Sequence, residues 1–174
     1  MKVKDVSRAD INAAYQTGLK RDTAAILRKA QTTYGYKPEP EQRRHFNGMS
    51  AVAEMLLGRA TGRRWLSDGM VPDEPGAGDV EGQIQVRWTP LGFGSLIVYK
   101  EDTEPFYALV TGINRFELKL VGWMTEAEAK QPEYWRHTKT GPDDIEGRRY
   151  GAYFVPQTAS VWRDIRDLQV KGDE

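Results

Sequence analysis

Between Asp79 and Trp123 lie four short segments rich in β-branched and aromatic residues, each bounded by turn residues: Asp79–Trp88, Ser95–Lys100, Phe106–Thr111 and Phe116–Trp123. This spacing commits the middle of the chain to a β-sheet. Residues 101–105 join the second segment to the third, and residues 112–115 join the third to the fourth. Links this short place sequential strands beside one another in one sheet. The flanks read differently. Ser7-Arg8-Ala9-Asp10 forms a loose N-terminal cap, and apolar residues from Ile11 to Leu27 carry a helix or helical pair to about residue 33. A second helix is expected from Glu41 or Gln42 to Leu57, with Gly58 and then Thr61-Gly62 as stop signals. Arg64-Trp65-Leu66 reads as a short strand, and 70–78 and 136–149 as loops. Thr125-Glu126-Ala127-Glu128 is a capping box that opens a short helix. Tyr150–Val155 is a last strand. Pro156 opens a final helix to about Leu168, with Val161, Trp162, Ile165 and Leu168 on one face. Helices, then a mixed sheet, then a helix give an α/β or α+β fold in a single domain. Residues 1–40 form an N-terminal helical extension on a core spanning 41–174.

Composition removes several kinds of chemistry. With 174 residues the chain can bury a core without staples. It has no cysteine, so disulfides and thiolate metal sites are out. Its two histidines, His45 and His137, stand far apart in dissimilar contexts, which argues against a histidine-built zinc site. Lys and Arg number 25, as do Asp and Glu, so any phosphate-binding surface must come from local clustering. No apolar run approaches the roughly 20 residues of a membrane span, and no secretory segment opens the chain. The expectation is a soluble, cytoplasmic protein.

One cluster of polar residues carries a chemical signal. Asp79 leaves a Gly/Pro-rich loop at the start of a strand segment, and Gln85-Val86-Arg87 follows six residues later. Alternation puts Gln85 and Arg87 on one face and Val86 on the core side, with Gly82 as a turn or bulge that resets the phase. Any half-exposed strand shows such alternation, so the triplet alone is no evidence of a site. Upstream, Met49, Val52, Ala53 and Leu56 make the apolar face of the second helix. Glu54 falls off that face, beside Asn47, Ala51 and Gly58; taken alone it reads as a solvated glutamate.

Together these residues resemble the PD-(D/E)XK nuclease superfamily: Glu on the first core helix, Asp at a strand end, and an acid-or-Gln, x, basic triplet on the next strand. Asn47-Gly48, Ala53-Glu54, Gly78-Asp79-Val80, Gln85-Val86-Arg87, Leu96-Ile97-Val98, Ala108-Leu109-Val110-Thr111-Gly112, Gly122-Trp123 and Tyr153-Phe154-Val155-Pro156-Gln157 are similar, in order and spacing, to small phage-type members. The resemblance covers about residues 42–160. It implies a restriction-endonuclease-like mixed sheet flanked by helices and a Mg²⁺- or Mn²⁺-dependent nuclease whose partner is DNA. It also implies Glu54 and Asp79 as metal ligands, Gln85 in the second acidic position offering its amide oxygen, and Arg87 in place of the catalytic lysine. Gln at that place also occurs in Mrr-type restriction endonucleases. Arg for Lys is the larger departure, because arginine does not deprotonate and serves only as a cation.

Basic residues cluster at Lys20-Arg21 with Arg28-Lys29, at Arg43-Arg44, at Arg59 with Arg63-Arg64, and at Arg148-Arg149. Arg43, Arg44, Arg63 and Arg64 are the candidates for DNA-backbone contacts; Arg28-Lys29 reads as solvated surface. Trp65, Trp88, Trp123, Trp135 and Trp162 read as core more than as base-stacking platforms. Three functions follow, in order: a metal-dependent deoxyribonuclease, a catalytically degenerate nuclease fold that binds DNA or protein, and a structural interaction protein. The oligomeric state, a homodimer included, stays open.

Overall fold

The computed structural model of the chain describes residues 6–27, 39–66, 78–137 and 151–168. Two helices come first: α1 (Arg8–Leu27) and α2 (Pro40–Thr61). Among the described residues six strands follow: β1 (Ile84–Thr89), β2 (Leu96–Tyr99), β3 (Phe106–Thr111), β4 (Lys119–Thr125), β5 (Trp135–His137) and β6 (Gly151–Val155). A one-turn helix α3 (Glu126–Ala129) leaves β4, and 3₁₀ turns lie at Pro132–Tyr134 and Ile165–Leu168. The class is mixed α/β with N-terminal helices, as expected.

Reciprocal capping starts α1. The Asp10 backbone N–H donates to Ser7 Oγ at 3.1 Å, and the Ser7 N–H and hydroxyl both donate to the Asp10 carboxylate. Ile11, Ala14, Gly18 and Asp22 are its buried residues, one stripe at helical spacing. That stripe lies against α2. A Cβ on Gly18 would meet the Asn47 carbonyl oxygen at 2.1 Å, so only glycine permits this crossing. The pairs Asp22–Arg43, Gly18–Asn47 and Tyr15–Gly48 run the two helices in opposite directions.

α2 runs one turn past the stop expected at Gly58. Gly58 is buried inside the helix, where a Cβ would press on the Arg63 carbonyl oxygen at 2.9 Å. The helix ends instead at Gly62, whose φ of 71° allows its N–H to reach the Gly58 carbonyl. From Gly48 to Gly58 every residue but Ser50 is buried, so α2 is covered nearly all round. Burial from several sides is why its end is not marked by the last apolar residue of one face.

The strands do not form one sheet. β1 pairs parallel with β3, and β3 antiparallel with β4, giving the order β1-β3-β4. β2 leaves this sheet and pairs with β6 in a second, antiparallel sheet of order β2-β6-β5. The short link before β3 therefore misleads, since β2 finds its partner more than fifty residues on, while the short link after β3 joins two paired strands as expected. β3 is buried on both faces. Ala108 and Val110 pack with Ala53 and Leu57 of α2 and Val86 of β1; Tyr107 and Leu109 pack with Leu96, Val98 and Val155 of the second sheet. The first sheet is the middle layer between α2 and the second sheet.

Two further expectations are corrected. Residues 136–137 belong to β5, not to a loop that begins at 136; His137 pairs with Gly151. The helix expected from Pro156 is replaced by turns and one 3₁₀ turn at Ile165–Leu168. Arg163 exchanges backbone hydrogen bonds with Trp123 at 3.0 and 3.1 Å, so this segment takes edge-strand geometry beside β4, which a helix cannot offer. Arg64-Trp65-Leu66 forms a single antiparallel bridge, Trp65 to Val80. The reading of α1 past Leu27 and most of the loops at 70–78 and 136–149 lie outside the described residues. Among the described residues no helix is long and apolar enough to cross a membrane.

Candidate functional site

A tight turn sets the position of Asp79. Gly82 has φ 90° and Gln83 φ 59°, so two successive left-handed residues fold the chain back within three residues. Val80 and Ile84 close the turn by exchanging N–H···O bonds of 3.1 and 3.2 Å. Residues 79–83 are thus not part of the strand, and β1 proper starts at Ile84. The turn at Gly82 is real but does not change the phase: Val80, Ile84 and Val86 are all buried, and the expected alternation holds in β1. Ile84 and Val86 are buried toward α2, while Gln85 and Arg87 are half-buried on the other face. β1 is an edge strand, and its Val86 N–H donates to Asp79 Oδ2 at 2.8 Å. The carboxylate caps a sheet edge that would otherwise offer a free donor.

Glu54 departs from the solvated reading. It is 4% exposed. Both its oxygens accept from Arg21 Nη1 of α1, at 3.1 and 2.8 Å, and Oε2 accepts from Trp65 Nε1 at 2.9 Å. The Arg21 guanidinium also lies over the Trp65 ring, 5.4 Å from its centroid.

Glu54 and Asp79 share one electrostatic neighbourhood. The Asp79 carboxyl is pushed well above the usual carboxylate range, first by its burial and then by the negative charge of Glu54; the Val86 N–H, Arg87 and Arg21 pull it back. Asp79 thus stands with a second acid and two guanidiniums in electrostatic range.

Arg87 is held in turn. Its Nη2 donates to Asp102 Oδ2 at 2.6 Å, and the same oxygen accepts the Tyr99 N–H at 2.9 Å. Lys130 clamps the loop that carries Asp102 by donating to the carbonyls of Lys100 and Asp102. Buried Tyr107, the register partner of Gln85, donates to Glu104 Oε2 at 3.0 Å. Burial, with Glu104 beside it, raises the Tyr107 hydroxyl far above its ordinary value, so it stays a neutral donor.

The arginines named as DNA contacts divide. Arg43 Nε donates to buried Asp22 at 2.7 Å, and Arg63 Nε to the Leu168 carbonyl at 2.9 Å, so both tie elements together. Arg44 and Arg64 are exposed. The five tryptophans are all half-buried, and Trp65, Trp88, Trp123 and Trp162 donate their indole N–H inward. Trp65, Trp88, Trp123 and Trp162 pack against the core clusters from their edges instead of lying within them.

The structure brings Glu54, Asp79 and Arg87 into one electrostatic neighbourhood, and sequence reasoning missed the contacts that Arg21, Trp65 and Asp102 make with them. For Arg21 a signal existed. It adjoins the Ile11, Ala14, Gly18 and Asp22 stripe, and charges next to a buried helix face need partners on the neighbouring element.

Among the described residues no three His, Asp or Glu side chains gather to hold a metal ion. The donors on offer are two carboxylates, with the Gln85 amide on the Arg87 face. That set meets the minimum for Mg²⁺, a hard cation commonly bound through one or two carboxylates with waters and phosphate filling the rest. Comparison with protein-family models, with curated proteins and with solved structures finds no match.

Proposed function

We propose that the protein is a metal-dependent nuclease of the PD-(D/E)XK kind that hydrolyses phosphodiester bonds in DNA. The observation that carries this reading is the Asp79 carboxylate held on the β1 edge by the Val86 N–H, with Glu54, Arg87 and Arg21 in electrostatic range. A divalent cation between the two acids would relieve their repulsion. Glu54 and Asp79 would hold Mg²⁺, and Gln85 would offer its amide oxygen. The bound metal supplies a lowered water pKa and a polarised phosphate.

The remaining work falls to the chain's own groups. Arg87 keeps its charge at any working pH, so it stabilises negative charge at the scissile phosphate and takes no proton. Asp102 fixes the Arg87 guanidinium through Nη2 and so sets its orientation. With Gln85 in place of the usual second carboxylate, the residues that would hold the metal carry one negative charge fewer.

A second reading, a degenerate nuclease fold that binds DNA or protein without cutting, has its own observation. Both oxygens of Glu54 are engaged by Arg21, so the site neutralises itself without a metal. Incubating the protein with duplex, single-stranded and branched DNA in Mg²⁺ or Mn²⁺ separates the two. The nuclease reading expects cleavage that Asp79→Ala abolishes. Cleavage that survives Asp79→Ala refutes the site, and wild-type protein inert on every form with both metals overturns the nuclease reading.

A further inference from the structure

We infer that Arg21 is the resident cation of the site: it holds Glu54 when metal is absent, and a divalent ion binds by taking Glu54 from it. The inference rests on Glu54 and Asp79 being metal ligands. It adds α1, which lies outside the nuclease resemblance, to the working site.

The geometry is specific. An ionised carboxylate has about four lone-pair positions. Arg21 takes two of those on Glu54 and Trp65 a third. A cation that coordinates Glu54 must therefore displace the guanidinium or share the carboxylate with a like charge. Arg21 is not there by chance of a loose surface chain. Its neighbour Asp22 is 2% exposed and accepts from Arg43 Nε at 2.7 Å and Asn47 Nδ2 at 2.9 Å, and Gly18 one turn earlier touches the α2 backbone. The root of the Arg21 side chain is fixed, while its head retains 20% exposure, against 5% for Glu54. The head has a route toward solvent; the carboxylate does not. Trp65 keeps its hydrogen bond to Glu54 through the exchange, so the carboxylate stays oriented. Arg21 is a positioning residue in this scheme, and it sets how much divalent ion the site needs.

The test is a Mn²⁺ titration of the full chain followed by thermal unfolding, since an ion that binds only the folded state raises Tm with concentration. Metal-free Arg21→Gln melts below wild type, because buried Glu54 loses its counter-ion. In Mn²⁺ its Tm recovers, and half-saturation falls roughly ten- to hundredfold relative to wild type, the range set by removing hydrogen bonds to a charged group. A purely structural arginine predicts a lower Tm with no gain in Mn²⁺ affinity. Arg21→Lys keeps a cation on α1 and guards against a folding failure; its point-charge head holds Glu54 less firmly, so half-saturation falls by a smaller factor. If Asp79→Ala loses Mn²⁺ binding while both Arg21 variants bind no tighter than wild type, the inference fails and the metal-site reading stands. If neither wild type nor the Arg21 variants bind Mn²⁺, the metal-site reading fails and takes the inference with it.

Discussion

Asp79→Asn should stabilise the metal-free protein, and the sign follows from the charge balance at the site. In the fold the Asp79 carboxyl is raised by burial and by Glu54, so its ionised form is disfavoured relative to the unfolded chain. For an acid raised on folding, the native state binds more protons than the unfolded state, and stability falls as pH rises from about 3.8. The cost is fully present once pH passes the raised value. Asparagine removes the charge and leaves an amide oxygen to accept the Val86 N–H. Each unit by which an acid is raised corresponds to about 1.36 kcal/mol. Against that stands the weaker neutral hydrogen bond, a loss of about 1 kcal/mol. Burial and the Glu54 charge act together against the ionised form, so the net change expected is a rise in Tm. Thermal unfolding of wild type and Asp79→Asn from pH 3 to pH 8, in chelator, measures it. The gap should be widest near neutrality and should close as pH falls and wild-type Asp79 takes its proton. An Asp79→Asn protein equal to or below wild type at neutral pH would refute the crowded-acid account.

Other expectations follow from the same geometry. Gln85→Glu adds a charged oxygen and should lower half-saturating Mn²⁺ in the same thermal titration; an unchanged value removes Gln85 from the metal shell. Asp102→Asn should lower kcat of Mg²⁺-dependent cleavage with little change in KM, because Asp102 orients Arg87 without touching substrate; a KM effect alone would contradict this. The Arg163 guanidinium, with the Thr125 N–H and hydroxyl, lowers the Glu128 carboxyl from 4.5 to about 2 against the opposing effect of its burial. Its contribution is present above about pH 4.5 and is lost as pH falls through about 2. Glu128→Gln keeps the capping geometry at the third helical position. At pH 7 it should cost below about 1 kcal/mol after solvent screening, by urea unfolding, with the difference vanishing near pH 2. Gly18→Ala forces α1 from α2, since the new methyl meets Asn47 backbone, and should cost several degrees in Tm.

What the sequence made legible was local. The Ser7–Asp10 and Thr125–Glu128 caps span four residues each, and their chemistry needs no knowledge of the rest of the chain. The shared face of Gln85 and Arg87 follows from a two-residue period once the turn at Gly82 is placed. What escaped was non-local. β2 pairs with β6 across more than fifty residues, and no pattern within β2 names that partner. The final helix is missing because Arg163 meets the β4 edge at Trp123, which no helical wheel of 156–168 reveals. Glu54 read as solvated because the helix wheel shows one face, while α1 and Trp65 cover another.

The central claim is that Glu54 and Asp79 together hold one divalent cation. Anomalous diffraction from Mn²⁺-soaked crystals of the full chain tests it most directly. The account predicts a single strong peak between the two carboxylates, within about 2.1 Å of an oxygen from each, with the Arg21 guanidinium shifted off Glu54. Crystals saturated with Mn²⁺ that show no peak there, with Arg21 still seated on Glu54, would contradict it.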